Sequence, residues 1–86
     1  MDTIFFDFRL DVTRSQQDKL IAEINTWQGI SQVGHLKPDA QNPEIVRMCY
    51  AYITDRSDLQ VLTEKLSALA EVESASIPAS RQLLTQ

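Results

Sequence analysis

Residues 3–12, TIFFDFRLDV, alternate strictly: Ile4, Phe6, Phe8, Leu10 and Val12 fall on one side, and Phe5, Asp7, Arg9 and Asp11 on the other. A period of two predicts a half-buried strand. The period then changes. In TRSQQDKLIAEINTWQG the residues Leu20, Ile24 and Trp27, flanked by Ile21, recur at helical spacing. Thr13 with Gln16, or Ser15 with Asp18, can cap the start of this helix, and Gly29 can end it. ISQVGHLK predicts a second strand, and PDAQNP, with its two prolines, a turn or loop. The longest strand is expected from Glu44 to Thr54. Its centre, VRMCYAYI, is apolar on both faces, with Cys49, Ala51 and Ile53 on one and Met48, Tyr50 and Tyr52 on the other. DRSDLQ offers a capping box, Ser57 with Gln60, before a second helix striped by Leu59, Leu62, Leu66 and Leu69. VESASIPA predicts a short last strand, and Pro78, which has no ladder donor, assigns it to a sheet edge. Residues 80–86, SRQLLTQ, read as a tail.

The element order is therefore β-α-β-β-α-β, and the two halves echo each other. Val12-Thr13 recurs as Ile53-Thr54, Arg14-Ser15 as Arg56-Ser57, and Leu20/Ile24/Trp27 as Leu62/Leu66/Leu69, at a nearly constant offset. Two βαβ units in tandem predict an α+β, ferredoxin-like domain over residues 1–86. Its four-stranded antiparallel sheet carries both helices on one face, in the strand order 4-1-3-2 usual for that fold. Matching the halves sets Phe6, Phe8 and Leu10 beside Cys49, Ala51 and Ile53 under the helices. The opposite face then gathers Phe5, Met48, Tyr50 and Tyr52, a cluster of the kind that marks a contact surface.

Charge and composition narrow the chemistry. A net charge of −4 disfavours a nucleic-acid binder, which needs a positive surface to release counterions. One cysteine and one histidine exclude a disulfide within the chain and a multi-cysteine zinc site. Gly29 and Gly34 are the only glycines, so there is no glycine-rich phosphate loop. Neither a metal nor an organic cofactor is expected. The acidic start, MDTIFFDFRLDV, predicts no signal peptide and no membrane span, hence a cytoplasmic protein. A nucleophilic Cys49–His35 pair would need a thiolate in a polar cleft, whereas the alternation places Cys49 in the core. Asp7 and Asp11, with Arg9 between them, read as a solvated strand face. The expectation is a protein without enzymatic activity.

Several ferredoxin-like families supply resemblances. The βαββαβ order, the length and the ending LSALAEVESASIPASRQLL resemble the propeptides of subtilisin-type serine proteases and their free-standing inhibitor relatives. That resemblance implies a sheet face of Met48, Tyr50 and Tyr52, with Phe5, packed on protease helices. It also implies that Asp39 or Glu44 meets positive helix ends, and that a substrate-like tail, with Arg81, Leu83 and Leu84, enters the active site. The chain also resembles ACT-type regulatory domains, which implies self-association or small-molecule binding between paired copies. A small dimeric ferredoxin-like enzyme is a further reading. Phe5, Tyr50 and Tyr52 lie where RNA-recognition motifs carry stacking rings, but the acidic charge ranks RNA last.

Overall fold

The computed structural model describes residues 2–77 and has the expected architecture. Strands β1 (Asp2–Phe8), β2 (Ile30–His35), β3 (Met48–Ile53) and β4 (Val72–Ser76) form one antiparallel sheet in the order β2-β3-β1-β4. Helices α1 (Arg14–Ile24) and α3 (Leu59–Ser67) cover one face; a single helical turn, α2 (Pro43–Val46), precedes β3. The core alternates as its sequence does. Ile4, Phe6 and Phe8 of β1 and Cys49, Ala51 and Ile53 of β3 are buried with Ile24, Leu59, Leu62 and Leu66 from the helices and Val72 from β4. The last strand, β4, is an edge strand, as expected; Pro78 lies outside the described residues.

Helix α1 starts with the Thr13–Gln16 capping box: Thr13 Oγ1 accepts from Gln16 N at 3.1 Å, and Gln16 Oε1 accepts from Thr13 N at 3.0 Å. The turn after it needs glycine, because Gly29 adopts φ 92° and its carbonyl accepts the Thr54 N–H.

Five local expectations are corrected. β1 stops at Phe8 rather than Val12, because Arg9 N donates to Glu71 O and Val12 N to Arg9 O, which closes a turn. Leu10 is thereby 54 % exposed, while Val12 still packs against the core. α1 ends at Ile24, so Trp27 sits in the following turn, half-buried, with the Lys65 ammonium 4.3 Å from its ring centroid. PDAQNP is not wholly loop: Asn42 Oδ1 accepts from Glu44 N at 2.9 Å and Pro43 occupies the first helical position. The longest strand consequently begins at Met48, and Glu44–Val46 are helical. The Ser57–Gln60 box does not form, since Ser57 N and Oγ both donate to Asp55 Oδ1 and Gln60 donates to Glu64. Those two bonds also hold the Asp55 carboxyl below its usual range.

Candidate functional site

The sheet face away from α1 and α3 is ordered by strand register into three rows. Gln32, Tyr52 and Thr3 make the first, Gly34, Tyr50, Phe5 and Ser76 the second. In the third, Met48, Asp7 and Ser74 are joined by Leu36, whose N–H donates to Met48 O. Tyr50 lies at the centre. A Cβ built on Gly34 would stand 3.1–3.3 Å from the Tyr50 hydroxyl and ring, so the ring lies flat across that glycine. Its hydroxyl accepts from Gln32 Nε2 at 2.9 Å, and its ring meets Tyr52 at 4.8 Å between centroids. Phe5, Met48, Tyr52 and Leu36 are all exposed. Thr3, Phe5, Leu36, Tyr50 and Tyr52, with His35, line a shallow hollow of about 440 Å³.

Four of the expected site residues, Phe5, Met48, Tyr50 and Tyr52, are thus brought together. Asp39 and Glu44 are exposed and do not line this hollow. Ala40, Gln41, Pro43 and Val46, around Glu44, instead line a second hollow with Leu10 and Val12 of the β1–α1 turn and Arg14 of α1. The acid on the aromatic face is Asp7. Arg81, Leu83 and Leu84 lie outside the described residues. Leu36 and Gln32 were missed by sequence reasoning. Leu36 and Gln32 share the parity of Gly34, so pairing Gly34 with Tyr50 would have found them.

Cys49 and His35 do meet, with Sγ 3.7 Å from Nδ1, but without nucleophilic geometry. His35 Nδ1 donates to the Val46 carbonyl at 3.0 Å, so it is no base for the thiol, and Nε2 lies 3.0 Å from Asp18 Oδ1. His35, on the edge strand β2, is a hydrogen-bonded clamp between β2, α1 and α2, its side chain 7 % exposed. Its contact, ahead of that of Arg14, lowers the Asp18 carboxyl below its usual range. Cys49 is 0 % exposed, and burial pushes its thiol from the ordinary 9.0 up to about 12. Between those values the unfolded chain loses the thiol proton and the folded chain keeps it. Stability therefore falls as pH rises through that window, by about 1.4 kcal/mol per pH unit from this group. Urea unfolding of the wild type and of Cys49→Ala from pH 8 upward should show a shallower alkaline decline in the variant. Parallel declines would mean that the thiol ionises equally in both states.

Among the described residues no cluster of three or more His, Cys, Asp or Glu could hold a metal ion, and no helix is long and apolar enough to cross a membrane. Compared with known proteins, the chain matches no family model, no curated protein and no solved structure.

Proposed function

We propose that this chain is a non-enzymatic protein-binding module that engages its partner through the open sheet face. In its most concrete form it is a propeptide-like inhibitor of a subtilisin-type serine protease. One observation carries the reading: Phe5, Met48, Tyr50 and Tyr52 are contiguous on a face that neither α1 nor α3 covers. Large aromatic side chains and methionine are the residues enriched at protein interfaces.

Area adds a constraint. Three rows across four strands, at ~4.8 Å between strands and ~3.4 Å per residue, cover roughly 350 Å². A stable complex buries about 800 Å² on each partner. This reading adds a second contact and assigns it to residues 80–86, which follow β4 in the chain. Asp7, within the aromatic rows, favours a partner that presents a cation or a helix N-terminus there.

The test is a titration of a subtilisin-type protease, with a peptide substrate, against the full chain and against a chain lacking Ser80–Gln86. Full-length protein should inhibit. The shortened protein should lose at least tenfold in potency while keeping its thermal transition. Equal inhibition by both would remove the tail from the mechanism. No inhibition, together with a concentration-dependent dimer in sedimentation, would replace the protease by a second copy of this chain.

A further inference from the structure

A second hollow, of about 300 Å³, opens on the helix-covered side, between the β1–α1 turn, the first turns of α1 and the segment leading through α2. It shares no residue with the aromatic face. We infer that it binds a small aliphatic 2-hydroxy acid, a ligand class that goes beyond the protein-binding reading and does not depend on it.

Charge is the first argument. Among the described residues that line the hollow are Arg14 and Arg47 and no carboxylate; Arg14 Nε pairs with Asp18 Oδ1 at 3.3 Å and Arg47 Nη1 with Glu73 Oε1 at 3.0 Å, both acids standing outside the lining. The N-terminal end of α1, beside it, adds a positive helix dipole. A guanidinium has five N–H donors, so each arginine keeps donors beyond its one ion pair, and a hollow whose own lining carries no acid favours an anion there.

Unmet hydrogen bonding is the second. Gln17 is 5 % exposed; its Nε2 donates to Val12 O at 3.2 Å, but its Oε1 has no partner among the described residues. Arg47 holds Phe8 O and Glu73 through Nη1, while its buried Nε likewise lacks a partner. A buried acceptor or donor left unpaired carries a desolvation penalty, and both belong to side chains that line one hollow. Small movements of these side chains would present one free acceptor and one free donor to a bound molecule.

Shape and polarity complete the assignment. Leu10, Val12, Pro43 and Val46 provide an apolar wall, which gives the exposed Leu10 a contact. The volume sits at the small end of ligand sites. A carboxylate would take Arg14 and Arg47, a neighbouring hydroxyl would donate to Gln17 Oε1, and an alkyl chain would lie on the wall. An ammonium in place of the hydroxyl would face two guanidinium groups with no acid lining the site, so a 2-amino acid should bind more weakly.

The test is an amide and arginine-side-chain NMR titration of the full chain with 2-hydroxyhexanoate, hexanoate and 2-aminohexanoate. Saturable shifts are expected at Val12, Gln17, Val46 and Arg47, with the hydroxy acid about three- to tenfold tighter than hexanoate. Gln17→Met should erase that preference. Arg14→Met, at an exposed site whose loss leaves the core intact, should weaken both acids about tenfold or more. No saturable shift at millimolar ligand, shifts confined to the tyrosine face, or equal binding by Arg14→Met would each overturn the assignment.

Discussion

A Phe6→Ala variant is expected to lose about 3–5 kcal/mol of stability, while Phe5→Ala, one residue away, should lose about 1 kcal/mol or less. Phe6 is buried in the central strand, edge-on to Phe8 at 5.5 Å between ring centroids. Its cross-strand neighbours are Cys49 and Ala75, two residues too small to fill the void. The cavity term should therefore be large. Phe5 lies on the opposite face, 39 % exposed, against Tyr50 and Ser76. A domain of this length is worth roughly 4–13 kcal/mol in total, so the first substitution removes a large share and the second a small one. Urea denaturation of both variants at one protein concentration reads the contrast directly. Equal losses would show that the face carrying Phe5 is already covered in solution.

Tyr50→Asp is expected to weaken partner binding by about thirty- to a thousandfold, with only a modest effect on folding. The tyrosine sits in the middle row of the open face, flattened over Gly34 and held by Gln32 and Tyr52. An aspartate there presents a carboxylate to whatever apolar surface docks, and among the described residues of these rows there is no lysine or arginine to pair it. Removing the ring also loses the Gln32 bond, an exposed one that water replaces. Tyr52→Asp, at a more exposed position, is the companion variant. Binding or inhibition, measured beside the thermal transition of each variant, separates interface from fold. Both variants binding like wild type would place the partner elsewhere on the molecule.

The features legible in the sequence are those that depend on neighbours along the chain. Alternation in β1 and β3 is legible because a pleated strand sends successive side chains to opposite faces, and one of those faces has to be dry. The Thr13–Gln16 box is legible because both its bonds span only three residues. The Leu59/Leu62/Leu66 stripe follows from helical spacing, and the strand order from what two βαβ halves can do in one sheet. From these, the composition of both faces of β3 follows: Cys49, Ala51 and Ile53 inward, Met48, Tyr50 and Tyr52 outward.

Other features wait on residues distant in sequence. Alternation continues through Leu10 and Val12 although the backbone has left the sheet, because the turn is set by Arg9 meeting Glu71. The apolar run before Met48 reads as strand until the Asn42–Pro43 cap claims it for a helical turn. Gln17 reads as a polar helix position, yet the packing of the turn before it and of α2 beyond it buries its amide. His35 is a lone edge histidine until Asp18 and Val46, from two other elements, reach its two nitrogens. The sequence by itself determined which side chains share a face, because that depends on backbone period alone. Only the tertiary structure decided which faces stay open and which polar atoms lose their water, because both depend on what distant segments bring against them.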